Sequence, residues 1–529
     1  MRALIRLAGI GIVGVAMHYI AETQGALLTK PKPAGAFLTV AGLAVALLLL
    51  VMVVVGRGEG DGRRGLPDVP RRFVRGLWLA VTLYAFVGVG TFATMLDQSE
   101  PDGTPYHNDA VAIQQCAAQL VLQGQDPYRS LDLFSCYQRL GIGPDRTTPL
   151  QRGLFAEVPV YPTDLQLDAA WDARVADPAS NVEFEWRPSY PALAFLLIVP
   201  WTVLGLDPNH LSMLLLVLGM SLILLRAQPR ARGLLLTAML SSIVVIAWTI
   251  GGSSDLLYAI PLLAAWLWRE RRWSALLLGI ALATKQLAWF AAPYYLMQII
   301  VSRGKREAVV RFAIACAVFV VTNAPFFIAD PAAWIAGVTT PVHEPMFARG
   351  AGIVFLSIAG GLPLPPAAVY TVLEGIGIIV CLVIAWRTRR TSPELGLVLA
   401  FVPLFFAWRS LFSYFFLLPL FAAGSIARMR LDVPEAENIE DAGGVAIVHG
   451  PRRPAAAAHA LLGRPRLLLA AFVASAVAVV VAQVAGELAR VSVAVVGDAQ
   501  LGAAVVASAF GTALVALAEP SDNRKRRTT

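Results

Sequence analysis

The sequence predicts an all-α polytopic membrane protein, and three observations support that fold class. Of the 529 residues, 57% are hydrophobic and only 15% are charged, whereas soluble proteins carry about 25% charged residues. The mean hydropathy is +0.65. Apolar runs long enough to cross a hydrocarbon core of about 30 Å as helices recur along the chain. The composition excludes a water-soluble enzyme, a collagen, a coiled coil, a disordered chain and a small disulfide scaffold.

The predicted membrane helices alternate with short arginine clusters. The apolar runs occupy residues 3–20, 36–55, 76–95, 210–225, 233–250, 255–268, 273–301, 310–328, 366–386, 394–427, 467–486 and 491–517. Arginine supplies 38 of the 43 basic residues, and the positive-inside rule places its clusters in the cytoplasm. A further run, 190–206, is interrupted by Pro200. We expect that run to lie in the outer interface or to re-enter, because proline disfavours a clean span.

Two of these runs are too long for one span. Run 273–301 lies between two basic clusters and holds Lys285 and Gln286 near its middle. It therefore predicts two short helices that meet on the outer side. Run 394–427 is similar, with its outer turn predicted at residues 408–410.

The predicted helices and loops divide the chain into four regions. They are an N-terminal helical hairpin with a basic cytoplasmic loop (1–75), a membrane core with an outer loop at 96–190 (76–430), a flexible cytoplasmic loop (431–466), and a C-terminal helical hairpin with a basic tail (467–529).

The outer segment differs in charge from the remainder of the chain. Between Asp97 and Arg187 there are 14 acidic and 6 basic residues, a net charge of −8, whereas the whole chain has a net charge of +8. The positive excess therefore lies in the loops between spans and does not form a nucleic-acid groove. We expect no nucleic-acid partner. Cys116 and Cys136 both fall in this segment, where they either pair as a disulfide or remain free thiols.

Asp109 is the first candidate catalytic residue. It follows His107 and Asn108, shortly after the third predicted helix. A carboxylate there can stay ionised, face the membrane surface and act as a general base on a hydroxyl. The alternative is a solvated loop acid, or an N-cap of the amphipathic helix that follows.

Lys285 and Arg409 are candidate phosphate ligands. Lys285 is the one lysine within an apolar run, and an isolated lysine near mid-membrane costs roughly 2.5–3.5 kcal/mol. An outer turn avoids most of that cost and places the ammonium beside lipid phosphates, although a snorkelling lysine at a helix end is the alternative. Arg409 stands near Tyr414 in an aromatic stretch, where a planar guanidinium suits a bidentate phosphate contact.

Three further candidates lie on predicted outer turns. Arg349 and His343 share one loop, and Asp255 follows a glycine-rich turn from which it either assists at the site or caps the next helix. His343 has no second histidine at ligand spacing. Nothing in the sequence requires a metal, although the sequence leaves the binding of a divalent ion open.

Motifs for soluble activated donors are missing from the sequence. It has no phosphate-binding loop of the ATPase type, no dinucleotide fingerprint and no Cys-x-x-Cys pair. It also has no soluble domain large enough for a nucleotide sugar. Any activated donor would therefore reach the site already attached to lipid.

Four short motifs together resemble the GT-C membrane glycosyltransferases. The motifs are His-Asn-Asp-Ala at 107–110, Gly-Gln-Asp-Pro-Tyr at 124–128, Tyr-Pro-Ala-Leu at 190–193 and Gly-Ile-Ala-Leu-Ala-Thr-Lys-Gln at 279–286. In order and spacing they are most similar to family 87, the polyprenol-phosphate-mannose-dependent mannosyltransferases of actinobacteria. The resemblance covers roughly residues 76–427. The chain departs from the family in having Ala192 where Tyr-Pro-Pro is frequent, and Gly252-Ser253 where a Gly-Gln turn is frequent.

The resemblance implies a GT-C-like helical bundle with a large first extracytoplasmic loop. It implies that Asp109 is the catalytic base and that Lys285 and Arg409 contact phosphate. The other residues expected to bind substrate are His107, Asn108, Asp126, Tyr128, Tyr190, Gln286, Asp255, His343, Arg349 and Tyr414.

The implied reaction is an inverting hexose transfer without a cofactor. The donor is a polyprenyl-phosphate sugar, with mannose as the expected hexose, and the acceptor is a glycan or glycolipid of the cell envelope. The expected location is the bacterial plasma membrane, where the protein contacts membrane lipid and its active site faces outside.

Two other functions remain open at this point. A transporter or lipid flippase would explain many helices and intramembrane charges, but it would not need the long acidic outer segment. A non-catalytic scaffold in an envelope-assembly complex is the third possibility.

Overall fold

The computed structural model describes residues 2–55, 71–94, 109–206 and 208–429. The predicted loop 431–466, the predicted spans 467–486 and 491–517, and both His107 and Asn108 lie outside the described residues. The described part is mostly helical, with two strands of two residues each.

The α-helices of the described chain are numbered in chain order. The first eleven are α1 (Arg2–Thr29), α2 (Pro33–Val54), α3 (Arg71–Thr94), α4 (Asp109–Leu122), α5 (Pro127–Ser130), α6 (Leu133–Leu140), α7 (Asp164–Ala176), α8 (Leu193–Leu196), α9 (Val199–Val203), α10 (Pro208–Arg226) and α11 (Arg232–Ser241). The others are α12 (Ile243–Ala247), α13 (Asp255–Leu267), α14 (Ser274–Thr284), α15 (Ala292–Arg303), α16 (Lys305–Ala329), α17 (Pro331–Val338), α18 (Thr340–His343), α19 (Phe355–Ile358), α20 (Ala367–Thr388), α21 (Gly396–Leu399) and α22 (Leu418–Ala427).

Shorter elements connect these helices. The 3-10 helices are Pro144–Arg146, Gly153–Phe155, Pro178–Ser180, Pro229–Ala231, Gln286–Phe290, Pro393–Leu395, Val402–Phe406 and Phe412–Tyr414. The strands are β1 (Arg349–Gly350) and β2 (Arg409–Ser410), which pair in parallel.

Six helices of the described chain are long and apolar enough to cross a membrane. They are α1, α2, α3, α10, α16 and α20, and they correspond to six of the predicted runs. A chain with this many such helices has the character of a multi-pass membrane protein. The membrane part of the sequence prediction is thereby confirmed at this level.

Both long apolar runs are broken where the sequence predicts a turn. α14 ends at Thr284, Lys285 is extended with φ −151° and ψ 140°, and α15 begins only at Ala292. The second run is interrupted by β2 before α22 begins at Leu418. Polar residues in the middle of an apolar run therefore mark real helix ends.

Two other runs differ from a single helix. Run 233–250, predicted as one span, is divided at Ser242 into α11 and α12, so that prediction is wrong. The Ser242 hydroxyl lies within hydrogen-bonding distance of the Ala238 and Ile10 carbonyls, at 3.0 and 3.3 Å, and a serine that bonds its own helix backbone weakens helix continuation. Run 190–206 forms only the short α8 and α9 and, as expected, is no continuous span.

The described chain has two main hydrophobic cores. The larger one lies among the long helices, where α1 packs against α2, α3 and α11, and α14 packs between α13 and α16. The smaller one lies in the outer segment, around Phe134, Trp171 and Phe184, and is completed by Phe347 from the segment before β1. A disulfide between Cys116 and Cys136 joins α4 to α6 at this smaller core, with their Cα atoms 6.2 Å apart. Of the two states that the sequence left open for these cysteines, the structure has the paired one.

Extended segments beside the smaller core bring distant residues together. The Leu150 amide donates to the Glu183 carbonyl at 2.7 Å, and the Glu185 amide donates to the Thr148 carbonyl at 2.9 Å. The Gln151 amide in turn bonds the Pro345 carbonyl at 2.7 Å, close to the start of β1. Side chains from four separate parts of the chain therefore meet beside the start of α4.

Candidate functional site

Asp109 is a half-buried, hydrogen-bonded residue at the start of α4. Its Oδ2 accepts a hydrogen bond from Thr148 Oγ1 at 2.9 Å, and its carbonyl accepts one from the Tyr137 hydroxyl at 3.4 Å. Burial raises the pKa of Asp109, whereas the Thr148 bond and the charges of Arg409 and Arg349 act to lower it. Asp109 is therefore not the solvated loop acid of the alternative interpretation.

Two arginines near Asp109 lie next to each other because their backbones pair. Arg349 on β1 stands opposite Arg409 on β2. Gly350 has φ +131°, and a Cβ there would collide with the backbone of Ser410, so only glycine allows this close approach. The guanidinium carbon of Arg349 lies 4.1 Å from the centre of the Tyr161 ring.

Arg409 has a free hydrogen-bond donor. Its Nη1 is buried and makes no hydrogen bond within the described residues. A buried donor without a partner is rare in native structures and suggests an absent ligand. A guanidinium donates in a planar fork, so the ligand that suits it best is a carboxylate or a phosphate.

Glu185 is a second buried carboxyl in the same cluster. The residue is 8% exposed, and its Oε1 makes no hydrogen bond in the described part of the chain. Burial and the charge of Asp109 raise the pKa of Glu185 to about 7, against the opposing effects of Ser189 and Arg409. Its protonation state therefore changes near neutral pH.

Lys285 forms an ion pair with Asp255. Its Nζ lies 2.8 Å from Asp255 Oδ1 and 3.4 Å from Ser254 Oγ, and the side chains of Lys285 and Asp255 are 9% and 6% exposed. The ammonium also stands 4.9 Å from the centre of the Tyr190 ring. Lys285 is thus neutralised within the protein, which departs from the free phosphate ligand and from the snorkelling lysine that the sequence suggested.

The turn before α13 places Asp255. Gly251 and Gly252 have φ +71° and +87°, which glycine adopts without strain. A Cβ on Gly252 would collide with the side chain of Asn209. Asp255 then begins α13 with its side chain directed to Lys285, so it serves as the lysine's counter-ion.

Two tyrosines connect the ion pair to the Asp109 cluster. Burial and the carboxylates of Glu185, Asp255 and Asp109 all raise the pKa of Tyr190. The hydroxyl of Tyr414 lies within the electrostatic influence of both Arg409 and Lys285. The structure therefore brings Asp109, Arg409 and Lys285 into one continuous group of polar side chains.

Two predicted binding residues support the segment that carries Tyr190. Gln286 Nε2 donates to the carbonyls of Ser189 and Val338, both at 2.7 Å. The Tyr128 hydroxyl donates to the Tyr190 carbonyl at 2.7 Å. These contacts hold the backbone in place, so Gln286 and Tyr128 position Tyr190.

Two other predicted residues have no contact with the cluster. Asp126 caps α5 by accepting a hydrogen bond from the Tyr128 amide at 3.0 Å. His343 is exposed at the end of α18. Among the described residues, no group of three histidine, cysteine or acidic side chains is placed to hold a metal ion.

Three members of the cluster were not predicted from the sequence: Thr148, Tyr161 and Glu185. The one available signal is the alternation of Glu183 and Glu185 about Phe184. Glu183 bonds Arg174, with Glu183 Oε2 2.7 Å from Arg174 Nε. In an extended segment, neighbouring residues point to opposite faces, so Glu185 points away from the face of Phe184. Whereas Glu183 pairs with Arg174, Glu185 lies within the influence of the Asp109 charge.

Comparison with known protein families, with curated proteins and with solved structures gave no match to this chain. Its function is therefore argued from the chemistry of the site.

The cluster combines three chemical capabilities. Asp109 can accept a proton, since burial raises the pKa of its carboxyl despite the opposing effects of Thr148, Arg409 and Arg349. Arg409 can hold an anion through its free donor, which is how charge that develops on a leaving group is stabilised. Glu185 adds a carboxyl that titrates near pH 7. Two carboxyl groups in different environments are a frequent arrangement for acid–base work.

Proposed function

We propose that this chain is an integral membrane glycosyltransferase of the GT-C type. It moves a hexose, mannose by its resemblance to family 87, from a polyprenyl-phosphate sugar to a glycan or glycolipid of the cell envelope. The observation that supports this most is the half-buried carboxylate of Asp109 within the electrostatic influence of Arg409, whose buried Nη1 has no partner among the described residues. Transfer from a sugar phosphate requires a proton acceptor next to a group that binds the phosphate anion.

In the proposed reaction, Asp109 takes the proton of an acceptor hydroxyl. The hydroxyl oxygen attacks the anomeric carbon from the face opposite the phosphate. The bond between that carbon and the phosphate oxygen breaks, and polyprenyl phosphate leaves with the electron pair. The anomeric configuration is inverted, and Arg409 donates hydrogen bonds to the phosphate as its negative charge grows.

The proposed role of Lys285 is indirect. Its positive charge is matched by Asp255 at 2.8 Å, so it is less available to a phosphate than Arg409. We propose that the neutral pair supports Tyr190 below the reacting groups, and that Arg349 supplies the second cation near Asp109.

We propose that the cluster faces the outside of the bacterial plasma membrane. Asp255 begins α13, and the basic residues Arg269, Arg271 and Arg272 follow its other end. The positive-inside rule favours a cytoplasmic position for this basic end, which supports an outer position for Asp109.

Transfer assays with a matched pair of variants test the proposal. The wild type, Asp109→Asn and Asp164→Asn are purified and supplied with radiolabelled polyprenyl-phosphate mannose, then with other hexoses, and an envelope glycan. Asp164 is also an acid in the first turn of an outer-segment helix, but it is exposed. We expect Asp109→Asn to lose about 10²–10⁴ in rate and Asp164→Asn to match the wild type. Equal transfer by Asp109→Asn would rule Asp109 out as the base.

The second candidate function is a transporter or lipid flippase. The Lys285–Asp255 pair favours it, since buried charges at the ends of interrupted membrane helices often mark transport pathways. A flipping assay with a fluorescent polyprenyl phosphate in vesicles, without acceptor, tests this alternative. Equal lipid movement by wild type and Asp109→Asn, with no transfer product from either protein, would favour it.

A further inference from the structure

A cavity lies at the opposite end of α13 from the Lys285–Asp255 pair. α13 runs from Asp255, beside Lys285, to Leu267, and the cavity wall begins just beyond it. The cavity has a volume of about 480 Å³, which is within the usual range for small-molecule sites. Its lining residues are Arg269, Glu270, Gln298, Val301, Ser302, Arg303, Arg389, Arg390, Pro393 and Arg428.

The acidic groups at this cavity are already paired. Glu394 is held by Arg269 at 2.5 Å and by Arg428 at 3.2 Å. Glu270, the one acid in the lining, bonds Arg428 at 2.9 Å and Arg226 at 2.7 Å. Among the described residues, these carboxylates therefore leave no negative charge for the other arginines of the wall.

Three arginines of the wall lack a carboxylate partner within the described chain. They are Arg303, Arg389 and Arg390. Arg303 contacts only the Glu270 carbonyl, at 3.5 Å, and Arg389 stacks on Trp386 at 4.1 Å. Arg303 and Arg390 are exposed, and like charges in one wall repel one another, so an anion bound between them would lower the energy of the arrangement.

Gln298 supplies an independent observation. It lines the cavity while only 6% exposed. The backbone carbonyl of Gln298 accepts a hydrogen bond from Ser302 Oγ at 2.7 Å. Its side-chain amide makes no hydrogen bond to another described residue. A buried amide whose open side is the cavity is a ready donor to a ligand.

We propose that this cavity binds a phosphate monoester, carried by a lipid headgroup or by a small phosphorylated solute. Arg303 and Arg390 supply charge, and Gln298 donates a neutral hydrogen bond. Guanidinium groups bind phosphate through paired N–H donors. The basic end of a membrane bundle is also where anionic headgroups gather. The inference stands on this cavity alone and does not depend on sugar transfer.

Binding to the full chain in phosphatidylcholine nanodiscs tests the inference in two arms. One arm adds phosphatidic acid to the bilayer, and the other adds glycerol 3-phosphate to the solution. The test variant is Arg303→Gln with Arg390→Gln. The control is Arg306→Gln with Arg387→Gln, which removes the same charge from exposed arginines nearby that do not line the cavity.

The expected result is saturable binding that the test variant weakens about tenfold or more, because two charge-assisted contacts are lost. The control should bind as the wild type does. Gln298→Leu should also weaken binding, although it changes no charge. Saturation with phosphatidic acid alone identifies a lipid headgroup as the ligand, and saturation with glycerol 3-phosphate identifies a soluble phosphate; either supports the site.

Three results would overturn the inference. They are no saturable binding in either arm, equal weakening by the test and control pairs, and unchanged binding by Gln298→Leu. The last two would indicate general attraction to a basic surface. Asp109→Asn should bind as the wild type does, so a failure of the transferase proposal would leave this test unaffected.

Discussion

Arg349 and Arg409 stand directly opposite each other in the parallel pair of β1 and β2, and both act on the carboxylate of Asp109. The two arginines belong to well-separated parts of the sequence. Their positions are fixed by backbone pairing and by the close approach at Gly350. A pair of cations set by backbone pairing near a half-buried carboxylate would need little rearrangement to receive a phosphate, which would favour the proposed transfer.

The first prediction concerns the shape of the Arg409 guanidinium. Arg409→Lys keeps the charge but loses the planar fork, so we expect donor KM to rise and kcat/KM to fall by about tenfold to a hundredfold. Initial rates across donor concentrations measure both constants. Arg139→Lys, an exposed arginine of the outer segment, should behave as the wild type does. Unchanged constants in Arg409→Lys would mean that Arg409 does not contact the donor.

The second prediction uses Glu185, whose pKa is raised to about 7. As pH rises through that value, the new negative charge repels an incoming phosphate and competes for Arg409. Donor KM of the wild type should therefore increase between about pH 6 and about pH 8, and in Glu185→Gln it should stay nearly constant. Glu157→Gln, an exposed acid of the same segment, should keep the wild-type profile. A wild-type profile in Glu185→Gln would remove Glu185 from the site.

The same substitution has a consequence for stability. The folded state binds the Glu185 proton more tightly than the unfolded chain, whose carboxyl has its ordinary pKa of 4.5. The free energy of unfolding contributed by this group is therefore highest below pH 4.5 and falls as pH rises to about 7, by about 3 kcal/mol. Thermal unfolding at several pH values should show a smaller decline for Glu185→Gln than for the wild type.

Helix ends were predictable where polarity changes within the apolar runs. Lys285 falls in the middle of such a run, and burying it within a continuous helix would be unfavourable; the helix ends at Thr284. The division at Ser242 was not predicted, because a serine is compatible with a membrane helix. Its effect involves a hydrogen bond to the carbonyl of Ile10, which belongs to the first helix of the chain.

The site was also predictable only in part, because some of its contacts join segments that are distant in the sequence. Asp109, Lys285 and Arg409 stand out as charges beside apolar runs. Glu185 looks like one of several acids in a polar segment. Its proximity to Asp109 depends on the pairing of its amide with Thr148, and a single sequence does not reveal that pairing.

The third prediction tests the Lys285–Asp255 pair. Lys285→Met leaves a buried carboxylate unpaired and should lower stability by about 3–5 kcal/mol. Adding Asp255→Asn removes that charge and should restore much of the loss. Thermal unfolding of both single variants and the double variant in one detergent gives the coupling between them. Additive losses would show that the two side chains do not depend on each other.

The fourth prediction concerns Cys116 and Cys136. The bond closes a loop with a sequence separation of 20, so replacing both by serine should cost about 3 kcal/mol. In a background with Cys316→Ser and Cys381→Ser, intact cells should show no maleimide labelling until a reductant is added. Labelling without reduction would contradict the bond, and with it an oxidising location for the outer segment.

The unequal lengths of α14 and α16 set the depth of the Lys285–Asp255 pair in the bundle. Arg311 of α16 reaches Ser274 at the start of α14, so the two helices are level at the basic end. From there α14 runs 10 residues on to Thr284, whereas α16 runs 18 residues on to Ala329, a difference of about 12 Å at 1.5 Å per residue. Lys285 and Asp255 consequently lie deeper in the bundle than the far end of α16. In the proposed transfer, a sugar tethered to a membrane-resident tail would therefore approach this depth from within its own leaflet, while a hydrophilic acceptor would approach from the aqueous side.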